Sequence, residues 1–122
     1  MNIEYQNDPN GTIALVSGTE TAITNPQSAL DLAMTAKYGG GAAKLAVDKR
    51  LIAEDFFILS TGLAGEILQK FTNYHVKIAI YGDFSRYTSK PLRDFMYESN
   101  RGTGIFFVPT QEEAVRRLAE VR

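Results

Sequence analysis

Two polar stretches of the chain contain the side chains best suited to binding or chemistry. The first is the run Leu59-Ser60-Thr61-Gly62, in which two hydroxyls and a glycine precede a helical pattern. Backbone N–H groups are unpaired where a helix begins, so this turn can hold an anion, and its hydroxyls can accept a phosphoryl group. Ordinary N-capping explains the same residues more simply, because Ser and Thr cap many helices. The candidate binding or regulatory residues of this turn are Ser60, Thr61 and Gly62.

The second stretch, YGDFSRYTSKPLRDF at residues 81–95, is more polar than a short connection between a strand and a helix requires. Asp83 and Arg86 can hold a polar ligand, since the Arg86 guanidinium offers paired donors to a carboxylate or a phosphate. The alternative is local: Asp83 forms an Asx-turn, Ser89 caps the next helix and Arg86 pairs with a neighbour. The candidate binding or regulatory residues of this stretch are Asp83, Ser85, Arg86 and Tyr87.

Few residues elsewhere suit catalysis or metal binding. The chain has no cysteine, so a disulfide, a thiolate nucleophile and a thiolate metal site are excluded. Its only histidine, His75, lies at a helix-to-strand turn, away from the polar stretches. The carboxylates of Glu54, Asp55 and Glu66 have no spacing diagnostic of acid–base catalysis. The three glycines at 39–41 follow a helical pattern and precede a strand, which favours a helix C-cap over a phosphate-binding loop. We therefore expect no catalytic residue, no metal site and no cofactor.

Composition narrows the class of partner. Thirteen basic and fourteen acidic residues give a net charge of −1, which supplies no field to attract nucleic acid or anionic lipid. The longest apolar runs are four residues, whereas a bilayer-spanning helix needs about 20. The N-terminal sequence MNIEYQNDPNG resembles no export signal. We expect a single cytoplasmic domain, covering residues 1–122, with neither a nucleic-acid nor a membrane partner.

Periodicity along the chain predicts the element order ββαβαβαβα. Alternation at Ile3 and Tyr5, followed by turn residues and a strand over 12–17, indicates a hairpin in which Asn10-Gly11 supplies positive φ angles. Asn25 and Pro26 are typical of a helix start. The remaining elements are strands over 43–48, 76–81 and 105–108, and helices in the later part of 54–74, over 91–100 and after Thr110, where TQEE forms a capping box.

This order predicts an α/β fold in which an N-terminal β-hairpin precedes a βαβαβα segment, with crossover helices packed on a mixed sheet. In such sheets ligands gather at the carboxyl ends of parallel strands. The loops after strands 43–48 and 76–81 both reach that edge, so we expect residues 60–62 to lie beside residues 83–87. The exposed edge of the hairpin invites pairing between chains, which predicts a homodimer.

Two resemblances extend these inferences. The stretches EDFFILSTGLAGEILQK, VKIAIYGDFSRYTSKPLRDF and IFFVPTQEEA resemble a bacterial family defined as domain of unknown function 4180. This likeness covers nearly the whole chain and implies no particular activity.

The segments LAVD, LSTG and VPTQEEAVRRL resemble, in order, the strand, the phosphorylated turn and the final helix of STAS domains, the anti-sigma-factor antagonist fold. The resemblance implies a STAS-like fold in which a partner kinase phosphorylates Ser60 or Thr61 and so switches partner binding. This chain has Leu59 where the STAS turn has an aspartate.

Three functional hypotheses remain. The first is a non-catalytic regulatory or protein-interaction module whose contact surface contains residues 60–62 and 83–89. The second is a protein that binds a small anionic metabolite at the same edge, through Arg86 and helix N-termini. An enzyme is the least favoured, because no nucleophile–base pair is evident in the sequence.

Overall fold

A mixed five-stranded sheet organises the chain, and the computed structural model describes all of residues 1–122. Its strands are β1 Asn2–Asp8, β2 Gly11–Ser17, β3 Lys44–Asp48, β4 Lys77–Tyr81 and β5 Ile105–Val108. Its helices are α1 Pro26–Gly40, α2 Leu63–Asn73, α3 Lys90–Asn100 and α4 Gln111–Ala119. Three short 3-10 turns, Lys49–Leu51, Glu54–Phe57 and Leu59–Thr61, connect β3 to α2. These elements confirm the predicted α/β class and the predicted element order. No helix is long and apolar enough to cross a bilayer.

The strands lie in the sheet in the order in which they occur along the chain. β1 pairs antiparallel with β2, and β2, β3, β4 and β5 pair in parallel, with a helix in each crossover. The carboxyl ends of β3, β4 and β5 therefore meet at one edge of the sheet, called the carboxyl edge below.

Each face of the sheet has its own apolar core. The larger core contains 22 buried residues and packs α1, α2 and α3 against one face, while the smaller contains 7 and packs α4 against the other. Alternation along β4 serves both faces, because Ile78 and Ile80 point into the larger core and Ala79 into the smaller. Small residues under α4, such as Ala46 and Ala79, let its apolar stripe approach the sheet closely.

The hairpin forms as predicted, but its turn lies one residue earlier. Asp8 pairs with Gly11, so Pro9 and Asn10 are the central turn residues, and Gly11 alone has a positive φ, of 130°. Pro9 presets the φ angle of the first central position, and the Asn10 N–H donates to Asp8 Oδ1 at 2.6 Å. The expectation that Asn10-Gly11 supplies positive φ angles holds for Gly11 but not for Asn10, because an Asx-turn on Asp8 shapes the turn instead.

The helix ends largely follow the predicted capping. Asn25 caps α1 and forms a reciprocal capping box with Ser28, and Gly41 closes α1 in the left-handed conformation at φ 73°. At α4 the Glu113 N–H donates to Thr110 Oγ1, but the Glu113 carboxylate pairs with Arg116 instead. The predicted capping box at α4 is therefore only half formed.

The outer side of β5 is covered by one side chain. Asn100, the last residue of α3, donates from Nδ2 to the Phe107 carbonyl at 3.0 Å and accepts from the Phe107 N–H at 2.7 Å. Arg117 holds Asn100 in turn by donating to its backbone carbonyl. The amide side chain thus pairs with β5 much as a neighbouring strand would.

Replacing Asn100 by alanine should leave the N–H and carbonyl of the buried Phe107 without partners. We expect Asn100→Ala to lower the free energy of unfolding by about 1–3 kcal/mol, the cost of unpaired buried backbone groups. Urea denaturation measures this loss. Asn73→Ala is the matched control, because Asn73 also ends a helix and its side chain hydrogen-bonds only with the exposed Gln69 side chain. Equal losses in both variants would contradict the interpretation.

Candidate functional site

Four side chains from two crossovers meet at the carboxyl edge. The Glu54 carboxylate accepts a hydrogen bond from the Tyr87 hydroxyl, which lies 2.8 Å from either oxygen, and another from Arg86 Nη2. Lys49 Nζ lies 4.0 Å from the same carboxylate. We call Lys49, Glu54, Arg86 and Tyr87 the clasp, because they join the β3–α2 connection to the β4–α3 loop.

The clasp packs against a group of aromatic rings. Tyr87 stacks on the buried Phe57 with ring centroids 5.0 Å apart and an interplanar angle of 23°, and Phe84 packs beside both rings. Lys49 Nζ lies 4.9 Å from the Tyr87 centroid and 5.3 Å from that of Phe57, within range of a cation–π interaction. These ring contacts hold the charged groups of the clasp in place.

Gly82 makes room for Lys49. Its φ is 156°, and a Cβ added to it would lie 2.8 Å from Lys49 Cβ and 3.2 Å from Lys49 Cδ. Only glycine gives β4 this close approach to the Lys49 side chain.

A methyl group at position 82 should therefore displace Lys49 and strain the loop. We expect Gly82→Ala to destabilise the fold by about 1–3 kcal/mol, the cost of a strained backbone conformation with a steric conflict. Thermal and urea denaturation measure it. Gly65→Ala is the matched control, since Gly65 lies in α2 with open space where the methyl group would project, and it should gain up to about 1 kcal/mol from helix propensity. Stabilisation by both substitutions would contradict this account of Gly82.

The loop after β4 forms the predicted Asx-turn at Asp83 and the predicted helix cap at Ser89. Ser85 donates its N–H to Asp83 Oδ1 at 2.8 Å, and hydrogen bonds from Ser85 lower the pKa of the Asp83 carboxyl. Ser89 caps α3 by accepting from the Leu92 N–H. Arg86, however, pairs with Glu54, which lies 32 residues away in the sequence. The contact is therefore between connections rather than within the loop.

The two hydroxyls of the turn before α2 have different environments. Thr61 Oγ1 donates toward the carbonyls of Asp55 and Ile58, at 2.8 and 2.9 Å, and accepts from the Leu63 N–H at 3.2 Å. Ser60 is exposed and its hydroxyl makes no hydrogen bond within the chain. Gly62, with φ 78°, occupies the N-cap position of α2.

Residues 60–62 and 83–87 are not joined by a hydrogen bond. The link between their connections is made by Glu54 and Phe57, which precede the turn. These two residues and Lys49 did not stand out as site residues in the sequence. A carboxylate and an aromatic residue just after a strand end are a weak signal for such a role, because the partners lie in another crossover.

A second polar group lies at the same edge on the α4 side of the sheet. Asp48 is buried and accepts from the N–H and the guanidinium of Arg50, with Nη2 at 2.8 Å. Burial raises the pKa of Asp48, but the hydrogen bonds from Arg50 outweigh it and the net shift is downward. Asp48 pairs in register with Tyr81, whose pKa is raised by burial and by the Asp48 charge. Gln111 Nε2 lies 3.5 Å from the Tyr81 hydroxyl.

An open groove of about 500 Å³ borders the β4–α3 loop, which carries Arg86 and Tyr87 of the clasp. It is lined by residues that end β4 and β5: Gly82, Asp83, Phe84, Ser85, Phe107, Val108 and Pro109. His75 is exposed at the opposite edge of the sheet, with a left-handed φ of 58°. No three histidine or carboxylate side chains gather in the manner of metal ligands.

Comparison with known proteins decides the family. The family model described as "Domain of unknown function (DUF4180)" matches residues 9–118. The chain belongs to this family. No curated protein and no solved structure matches it. The first of the two resemblances noted in the sequence is thereby confirmed, and the STAS likeness stays a prediction.

Proposed function

We propose that this DUF4180 protein is a non-catalytic regulatory module of STAS-like architecture that binds a partner protein. Its contact surface is formed by residues 54–62 and 83–87 at the carboxyl edge. The hairpin followed by parallel crossovers, and the position of LSTG immediately before α2, support the STAS-like part of the proposal.

The contrast between Ser60 and Thr61 carries this proposal. The Thr61 hydroxyl is used within its own turn, so a phosphate there would break hydrogen bonds that shape the connection. The Ser60 hydroxyl is exposed and unpaired, so a phosphate there would break none. It would add about 1.5–2 negative charges near the positive end of α2, which favours negative charge. Ser60 is accordingly the phosphoacceptor, and its modification changes the surface without changing the fold.

The clasp prepares this surface for a protein partner. It fixes the two connections against one another, so that binding needs little further ordering of loops. Beside Ser60, Ile58 is 48% exposed and offers an aliphatic contact. A rigid surface with one exposed aliphatic group and one switchable hydroxyl suits regulated protein binding.

Substituting Ser60 should separate partner binding from stability. We expect Ser60→Asp to lose most of a partner captured by the wild-type chain from lysate of its own host, while its Tm stays within about 2 °C, as is usual for exposed sites. Ser60→Ala should retain the partner. Quantitative mass spectrometry of parallel captures measures the difference.

Thr61→Val serves as the control for fold damage. It removes hydrogen bonds within the turn and should lower the free energy of unfolding by about 0.5–1.5 kcal/mol. Retention of the same partner by Ser60→Asp at the wild-type level would refute the proposed role of Ser60.

An anionic metabolite at the same edge is the second candidate function. Only Nη2 of Arg86 is hydrogen-bonded, which leaves Nε and Nη1 free on a side chain that is mostly exposed. These donors lie in the same loop as the groove residues Gly82 and Asp83. The Glu54 carboxylate already accepts from Nη2 of the guanidinium that would hold an incoming phosphate or carboxylate. Glu54 and the ligand would therefore compete for Arg86.

A thermal-shift screen with phosphorylated and carboxylated metabolites tests this second function. We expect a metabolite that binds at this site to raise the Tm of the wild-type chain and to raise the Tm of Glu54→Gln by more. The same metabolite should leave the Tm of Arg86→Ala unchanged. Arg93→Ala is the matched control, because Arg93 is exposed on α3 and makes no side-chain hydrogen bond or ion pair. A screen with no shifts, or hits that survive in Arg86→Ala, would argue against this function.

A further inference from the structure

The two lateral edges of the sheet are not equivalent. The outer side of β5 is covered by the Asn100 side chain, which pairs with the N–H and carbonyl of Phe107. The outer side of β1 has no such cover, although the strand runs over seven residues, Asn2–Asp8, and pairs only with β2. Its free N–H and carbonyl groups form a template for another strand. The β1 edge is therefore open to extension of the sheet along its whole length, whereas Asn100 occupies the groups of Phe107 at the β5 edge.

Exposed apolar side chains lie at β1 and at the end of α1, which Tyr5 contacts. Met1, Tyr5 and Tyr38 are large apolar residues that remain more than one-third exposed. Tyr5 projects from β1 across the last turn of α1, where a Cβ on Gly40 would lie only 2.2 Å from its ring. The missing side chains of Gly39 and Gly40 leave room for the Tyr5 ring against the end of α1. The β1 edge thus combines unpaired backbone with exposed apolar surface.

We infer that a second copy of this chain occupies the edge, with β1 pairing antiparallel to β1 of the other copy about a two-fold axis at Tyr5. Residues directly across such a pair must face the same side of the sheet, so the axis passes through a residue. The register centred on Tyr5 pairs the whole of Asn2–Asp8 and places Glu4 opposite Gln6 and Asn2 opposite Asp8.

The neighbouring registers bring acids together. An axis at Glu4 places Glu4 opposite itself, and an axis at Gln6 places Glu4 opposite Asp8 twice. Like charges directly across a strand pair are destabilising, and both registers also leave strand ends unpaired. Charge and length therefore select the Tyr5-centred register. The result is one sheet continuous through both copies, with an isologous interface.

Gln6 is the position at which the register can be tested, because in the Tyr5-centred register each Gln6 faces Glu4 of the other copy. Gln6→Glu creates two facing acid pairs and should weaken the dimer, whereas Gln6→Lys creates two opposite-charge pairs and should tighten it. We expect the dimer Kd to change about 2- to 30-fold in each direction, from two pairs of ordinary cross-strand strength. Sedimentation equilibrium measures the Kd. In about 1 M NaCl both changes should shrink, because the screening length falls to about 3 Å.

The double variant Glu4→Lys with Gln6→Glu restores opposite charges across the pair and should recover a Kd at least as low as that of the wild type. Gln69→Glu and Gln69→Lys make the same charge changes on an exposed residue of α2 and should leave the Kd unchanged. All these positions are exposed, and circular dichroism melts check that each variant folds.

Three outcomes would overturn the inference. One is a wild-type chain that stays monomeric up to about 1 mM, a concentration at which even a dimer held by only about 4 kcal/mol is well populated. Another is a dimer whose Kd does not respond to the Gln6 variants, which would place the interface elsewhere. The third is a dimer that responds equally to Gln69, which would make net charge rather than register the cause. If the chain of the first outcome bound an extended peptide at β1, that peptide and not a second copy would be the occupant of the edge.

Discussion

Alternation of side chains along the central strands is the constraint on which the rest of the structure depends. Large aliphatic residues of β3 and β4 face α1, α2 and α3, while Ala46 and Ala79 lie under α4. A slip of one residue would bring alanine to the larger core, and would bring leucine and valine of β3 or isoleucine of β4 under α4, so the register is strongly specified. That register places Asp48 opposite Tyr81 and ends both strands at one edge. The connections that carry the clasp are brought together as a consequence.

The clasp itself contributes less to stability through charge than through its rings. Its Glu54 and Arg86 side chains are 51% and 64% exposed, and ion pairs at that exposure are worth at most about 1 kcal/mol. The stacking of Tyr87 on Phe57, over a cluster that also contains Phe84 and Phe107, buries apolar surface and orients the Tyr87 hydroxyl toward Glu54. The rings therefore fix the geometry, and the charged groups of Glu54 and Arg86 stay exposed to solvent.

Local sequence patterns predicted the helices and strands, but they did not predict contacts between residues that are distant in the sequence. The apolar run at Ile105–Val108 and the Asn25-Pro26 start of α1 appear where the sequence placed them, because each depends on residues within one turn or strand. The pairing of Arg86 with Glu54 could not be predicted, since nothing in a single sequence specifies which residues of two crossovers will face each other. The positive φ expected at Asn10 is absent for a different reason: two turn signals overlap, and Asp8 with Pro9 prevails over Asn10 with Gly11. The Thr61 hydroxyl is hydrogen-bonded and the Ser60 hydroxyl is not. This difference likewise depends on carbonyls in or beside the preceding 3-10 turns, whose conformation was ambiguous in the sequence.

The proposed dimer and the proposed partner surface use different sides of the molecule. A two-fold axis perpendicular to the sheet at Tyr5 runs the strands of the two copies in opposite directions, so their carboxyl edges point away from one another. Dimerisation then leaves both clasps open but at opposite ends of the continuous sheet. A small partner can contact only one clasp at a time, so pairing through β1 adds no avidity toward it. Two molecules of the proposed partner would fit on one proposed dimer, however, and the dimer would then bridge them. Phosphorylation of Ser60 would act on each copy separately, because no part of the β1 interface lies in the β3–α2 connection.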